Sequence, residues 1–239
     1  MSWQISRSES LTPSQRRHYW EKIHQRGYDK DVWSLTQDPK AQEKVAEEVS
    51  DLPVNARILV QGCGSKGIIE PLIAHSVSSV QEVCGTDFPG VVKGMVPSDP
   101  RVIYEGRDLA NLGFNREWDA AVVVNSVLSD SYEENQAILE SVTAALHEEG
   151  RLLGFFPTIF ATLDIAYIEE NLERTRDVDP WTSTFYEPLQ GVWQSFYTPL
   201  RLRKLISDAG MDIEKMEVFF CDGPESCRET EKHYGISDS

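Results

Sequence analysis

Ala56-Arg57-Ile58-Leu59-Val60-Gln61-Gly62-Cys63-Gly64-Ser65-Lys66-Gly67 opens on a short apolar run, turns through three glycines and resumes with Ile68, Ile69, Leu72 and Ile73. That is the outline of a strand, a Gly-rich turn and a helix, the first βα unit of a nucleotide-binding sheet. Glycine belongs in such a turn because positive φ costs it little and because it lets the backbone approach a ligand closely. The unpaired N–H groups at the start of the following helix point at whatever lies over the turn. Plain tight connections also use glycine, so the rest of the chain has to decide between the two.

Upstream, Asp38-Pro39 reads as the cap and first residue of a helix whose buried stripe is Ala41, Val45, Val49 and Leu52. Residues 1–37 are polar with scattered aromatics, and Ser14 to Ile23 suits a short helix carrying Tyr19, Trp20 and Ile23 on one face. Downstream, a helix runs to about Val77 with Pro71 near its start, and Gln81 to Asp87 reads as a second strand ending on an acid. Arg101 to Glu105 alternates as a third strand, and Trp118 to Asn125 is a continuous β-branched run, as expected of a central strand covered on both faces. A helix from Glu133 to Glu149, closed by Gly150, leads into a fifth strand at Arg151 to Phe156. Residues 157–197 break the rhythm as a long, aromatic-rich insert with its own helical pattern from Ile159 to Leu172. Thr198-Pro199 then starts a helix that closes at Gly210, Met211 to Cys221 reads as a sixth strand, and Arg228 to Ile236 as an antiparallel edge strand. Strand alternating with helix throughout predicts a mostly parallel α/β sheet with helices on both faces.

Composition narrows the partners. A net charge of −16 and a pI near 4.7 repel phosphate backbones and anionic membranes, which argues against nucleic-acid and membrane-surface partners. No apolar run approaches the length of a membrane span, and Met1-Ser2-Trp3-Gln4 does not open a secretion signal, so the expected location is cytoplasmic. Cys63 and Cys84 read as small core residues, while a Cys221–Cys227 disulfide is conceivable across Asp222-Gly223-Pro224.

Two ligand readings compete at the Gly-rich turn. Gly62-x-Gly64-x-x-Gly67, followed about twenty residues later by Asp87, formally satisfies the dinucleotide fingerprint, which makes a nicotinamide-dependent oxidoreductase the alternative. An acid ending the second strand reports a ribose without saying which cofactor carries it. The wider pattern separates the two. Gln61-Gly62-Cys63-Gly64 is followed by Asp87 closing strand two, Gly106-Arg107-Asp108-Leu109 after strand three and Asn125-Ser126 ending strand four. Glu148-Glu149-Gly150-Arg151-Leu152-Leu153 enters strand five, and Tyr197-Thr198-Pro199 leads a helix ending Asp208-Ala209-Gly210. In this order and spacing the chain resembles the class I S-adenosylmethionine-dependent methyltransferases of small-molecule type, from about Asp38 to the end.

The resemblance implies a Rossmann-like, seven-stranded, mostly parallel sheet with an antiparallel last strand. It divides the chain into an N-terminal lid segment at 1–37 and a methyltransferase domain at 38–239, with an acceptor-binding cap insert at 157–197. It also implies S-adenosylmethionine as cofactor. Gly62 and Gly64, flanked by Gln61 and Cys63, would let the backbone approach its methionine half. Asp87 would bind the ribose diol with Phe88 packing nearby. Asp108 would accept from the adenine amino group while Leu109 covers the ring, and Asn125 would line the methionine side. The chain departs from the family in having Val60 where an acid usually ends strand one, and Lys66 where a third glycine usually falls. Those departures leave a non-catalytic binding protein of the same fold as a third reading.

A sulfonium methyl donor is already activated, so the protein has chiefly to align the acceptor and exclude water; no triad or metal cluster is needed, and none is seen in the sequence. A hydroxyl acceptor benefits from a general base, and His18, in a segment able to fold over the site, is the candidate. Strand four ends in Asn125-Ser126-Val127-Leu128, without the Pro-Pro-aromatic signature of relatives that methylate base amines or protein glutamines. With the acidic surface, this points to a small-molecule acceptor. Tyr19 and Trp20 from the lid, with Phe160, Trp181, Trp193 and Tyr197 from the cap, would line an apolar or aromatic acceptor pocket. The same aromatics would equally form the cap's own core or a homodimer contact.

Overall fold

The computed structural model describes residues 11–26, 34–160, 178–187 and 192–219. β1 (Arg57–Gln61) stands at the centre of a five-stranded parallel sheet in the order β3-β2-β1-β4-β5, formed with β2 (Glu82–Asp87), β3 (Val102–Gly106), β4 (Trp118–Val124) and β5 (Leu146–Phe155). The order reverses between β1 and β4, which opens a crevice at the C-terminal ends of the central strands.

Each strand alternates between two cores. Ile58 and Val60 pack with Ala41, Val45 and Val49 of α2 (Pro39–Ser50) and with Ile69 and Ile73 of α3 (Ile69–Ser76). Leu59, Ala121 and Val123 face the other way, onto Leu139 and Val142 of α5 (Tyr132–Ala145) and Leu205 and Ile206 of α6 (Pro199–Asp208). Both faces are covered, as the unbroken apolar run of β4 requires. The expected caps are in place: Asp38 accepts from the Ala41 N–H at 3.0 Å ahead of Pro39, and Thr198 accepts from that of Arg201 at 3.3 Å ahead of Pro199. Pro71 is accommodated in the first turn of α3, where its missing N–H has no intrahelical partner to lose.

The sheet differs from the expected one in three places. Among the described residues it has five strands rather than seven. Met211 to Phe219 forms no strand: Lys215 and Glu217 pair with Glu48 and Lys44 of α2, Met211 packs against one core, and Phe219 turns onto the other, edge-on to Phe155 with ring centres 5.4 Å apart. The edge strand expected at Arg228 to Ile236 lies outside the described residues, as do Cys221 and Cys227. The helix expected to reach Glu149 ends at Ala145, because Leu146 is taken into β5 opposite Trp118. Pairing across the sheet overrides the local helical pattern.

Beyond its expected helical stretch, the cap contains strands that the sequence does not indicate. β6 (Val178–Asp179), β7 (Thr184–Glu187) and β8 (Val192–Ser195) make a separate antiparallel sheet, while most of the Ile159–Leu172 pattern lies outside the described residues. Among the described residues no helix is long and apolar enough to cross a membrane.

Candidate functional site

The Gly-rich turn leaves β1 and is tied at once to β2: the N–H groups of Gly62 and Cys63 both donate to the Thr86 carbonyl, at 2.8 and 3.0 Å. Gly62 has φ +72°, and a Cβ there would collide with Ser126 in the loop after β4. Gly64 has φ +66° and open space on its Cβ side, with no atom beyond its chain neighbours within 4 Å of where a Cβ would sit. Together they form a cradle with room over it, which an L side chain would strain or fill.

Asp87 closes the cradle from the tip of β2. It is 7% exposed; Oδ2 accepts from the Gly64 N–H at 2.9 Å and Oδ1 from the Phe88 N–H at 2.7 Å. The next turn is fastened alongside, with the Arg107 N–H donating to the Asp87 carbonyl at 2.8 Å. Leu109 is buried there, whereas Asp108 is exposed and its Oδ1 already accepts from the Ala110 N–H at 3.0 Å. On the opposite side, Asn125 follows β4 with φ +48° and its Oδ1 is buried without a partner. Gln61 is fully buried; its Oε1 accepts from Ser126 Oγ at 2.7 Å while its Nε2 is left unpartnered. Buried polar atoms are seldom left so, and two of them flank one crevice.

The two departures noted in the sequence do not fill the cradle. Lys66 reaches away, donating from Nζ to Gln37 Oε1 at 3.2 Å, and Val60 is buried in the core beneath β1.

α1 (Pro13–Gln25) lies across this edge and is anchored on both sides of it. Arg16, only 6% exposed, pairs with Asp130 at 2.5 Å and Glu134 at 2.9 Å, just beyond β4. Glu21 accepts from the Gly90 N–H at 3.0 Å in α4 (Pro89–Val92), just beyond β2, and the Arg17 guanidinium stands 5.9 Å from the Phe88 ring.

The antiparallel sheet docks on the same side. Ser195 donates from N to the Leu128 carbonyl at 3.0 Å and from Oγ to that of Ser129 at 2.6 Å. Cross-strand partners Tyr186 and Trp193 stack edge to face, 5.8 Å between centres, with Trp193 Nε1 buried and unpartnered. Tyr19 of α1 comes close to Tyr186; burial pushes its hydroxyl pKa up, and Tyr186 adds to the shift.

The expected acceptor residues therefore divide. Tyr19, Trp20 and Trp193 are half-buried on α1 and β8. Tyr197 belongs to the core: its hydroxyl donates to the Val127 carbonyl at 2.8 Å and its ring packs against Phe156. Phe160 and Trp181 are 69% and 94% exposed, and His18 is on the exposed side of α1. The sequence does not single out Arg16, Ser126 and Tyr186 as site residues; Arg16 has no local signal, its carboxylate partners being more than a hundred residues away.

No family model and no curated protein matches the chain by sequence. Solved structures match by shape. A candidate O-methyltransferase from Nostoc punctiforme aligns at 15% identity over 89% of this chain and 60% of its own, with a TM-score of 0.57. The 1,6-didemethyltoxoflavin-N1-methyltransferase of Burkholderia thailandensis aligns at 16% identity over 84% and 80%, also at 0.57. The chain has the methyltransferase fold. Human N-acetylserotonin methyltransferase shares this fold at 16% identity and a TM-score of 0.50, the match covering 83% of this chain and 51% of the human one. The chain thus spans less than two thirds of the length of two of these three neighbours.

Proposed function

We propose that the chain is a methyltransferase that uses S-adenosylmethionine and methylates O or N of a small aromatic or apolar acceptor. The observation that carries this reading is the Asp87 carboxylate, which brackets the Gly64 backbone beneath open space at the switch point of a methyltransferase-fold sheet. Two structural neighbours support it: the human enzyme was crystallised with S-adenosylmethionine, and the Burkholderia enzyme with S-adenosylhomocysteine and its acceptor.

The cofactor supplies a methyl group already activated on sulfur. Asp87 accepts from the ribose hydroxyls, Phe88 and Leu109 flank the base, Asp108 accepts from its amino group, and the Gly62–Gly64 backbone admits the methionine half. Asn125 Oδ1 and Gln61 Nε2, both buried and unpartnered, fit a ligand carrying acceptors and donors of its own. The N-terminal segment acts as a lid through α1, and the acceptor lies between α1 and the antiparallel sheet against Tyr19, Tyr186 and Trp193. Trp193 Nε1–H then favours an acceptor with a carbonyl or ring-nitrogen lone pair. This reading assigns no base to His18, which suits an amine or an already acidic hydroxyl. The buried free thiols Cys63 and Cys84 fit a cytoplasmic setting.

Release of S-adenosylhomocysteine from S-adenosylmethionine, measured across a panel of phenols, heteroaromatic hydroxyls and aromatic amines, tests the reading; silence across the panel from protein that binds the cofactor counts against it. The lid is tested by Arg16→Ala, which leaves Asp130 and Glu134 without their shared counter-charge and unfastens one end of α1. The expected result is a KM for the acceptor raised about tenfold or more with cofactor affinity nearly unchanged, since a buried pair broken on one side costs a few kcal/mol locally. Unaltered acceptor kinetics would remove the lid from the account.

A further inference from the structure

Glu70 interrupts the apolar run Ile68-Ile69-Glu70-Pro71-Leu72-Ile73 in the first turn of α3. It is fully buried, and neither carboxylate oxygen has a hydrogen-bond partner from another residue, its own backbone N–H being the one donor that acts on it. Its place is made by Gly85 of β2, the register partner of Val60: a Cβ at Gly85 would lie 2.8 Å from Glu70 Oε1. The titratable groups facing it are Cys63 from the turn, Asp87 from β2 and Tyr104 from β3, with Cys84 pointing to the opposite face of β2. α2, packed against α3, brings only Ala41, Val45 and Val49 to this core. Among the described residues Glu70 forms no ion pair; burial pushes its pKa up to about 8, against a hydrogen bond from its own backbone that lowers it and with the Asp87 charge adding a smaller rise. A carboxyl kept here without a cation destabilises the fold unless a ligand makes use of it.

We propose that Glu70 is the counter-charge for the cationic methionine half of the cofactor, supplied from α3 in place of the acid missing at Val60. This rests on the cofactor reading above. In the free protein Glu70 holds its proton; when the sulfonium and ammonium groups settle over the Gly62–Gly64 backbone, the ionised form is favoured and the proton leaves to solvent. The carboxyl lies against Gly85, in register with Val60 on β1 and two residues before Asp87 on β2, and so beneath the strand ends that carry the cradle.

The test is calorimetric titration of the whole protein with S-adenosylmethionine, and with S-adenosylhomocysteine beside it, in buffers of different ionisation enthalpy. At pH 7 wild type is expected to release on the order of half a proton or more per S-adenosylmethionine beyond what Glu70→Gln releases. Its affinity should rise about tenfold between pH 6.5 and 8.5, with a smaller rise in Glu70→Gln and for the product, which lacks the sulfonium. Glu70→Met, an apolar replacement suited to the surrounding core, guards against a variant that fails for lack of folding. Equal proton release and equal pH profiles in wild type and variants would overturn the inference alone. No binding of either ligand to wild type would overturn the cofactor reading and this inference with it.

Discussion

Asp87→Ala is expected to weaken S-adenosylhomocysteine binding by about a hundredfold or more, because hydrogen bonds from a ribose diol to a charged acceptor are each worth roughly 1.5–3 kcal/mol. The substitution acts twice. It removes the acceptor for the ligand, and it frees the Gly64 and Phe88 N–H groups that the carboxylate holds at 2.9 and 2.7 Å. Loss of stability should stay near 1–3 kcal/mol, the ordinary cost of orphaned donors, so the protein remains folded and titratable. Asp108→Ala serves as the comparison. Its side chain is exposed and occupied by the Ala110 N–H, and removing it should cost only about tenfold in affinity. Calorimetric titration of both variants checks the pair of values. Binding by Asp87→Ala within a few-fold of wild type would place the ribose elsewhere.

The second large effect is on stability, at Glu70. Its folded-state pKa of about 8 stands above the ordinary glutamate value of 4.5, so between these limits the folded protein holds a proton that the unfolded chain has released. Stability of the ligand-free protein must then fall as pH rises through that window, by a few kcal/mol in all at about 1.4 kcal/mol per unit of displacement. Glu70→Gln has no proton to lose, and its stability should not show this decline. Urea denaturation of both proteins at pH 5 and pH 9 measures the difference directly. The variant is expected to gain on wild type at pH 9 and to lie near it at pH 5. Parallel profiles would mean that the carboxyl finds a partner or water in the folded state. The acids whose pKa is lowered, such as Asp99 beside Arg101, act the other way and at lower pH: their contribution is lost as pH falls.

Elements with short-range determinants were readable from the sequence. The glycines of the first turn, the Asp38-Pro39 and Thr198-Pro199 starts and the acid ending β2 are local chemistry, and each is where its residues imply. What depends on a distant partner was not. Met211 to Phe219 has a passable strand pattern, but its charges find α2 before its backbone finds a sheet edge. Leu146 reads as helix until Trp118 pairs with it. Strands as short as β6 and β8 carry too few residues for a period to show, so the docked sheet looked like an irregular aromatic cap. Tyr197 matched an acceptor residue by type, yet its hydroxyl is taken up by the Val127 carbonyl. Glu70 was visible in principle, as one acid in an apolar run, and its meaning needed Gly85 across the sheet.

The central claim is that the Gly62–Asp87 cradle takes S-adenosylmethionine. The most direct measurement is titration of the purified chain with S-adenosylhomocysteine, with NAD run alongside. The account predicts saturable binding of S-adenosylhomocysteine at one site in the micromolar range and no response to NAD. Saturation by NAD with no response to S-adenosylhomocysteine would contradict it and turn the same cradle into the pocket of an oxidoreductase.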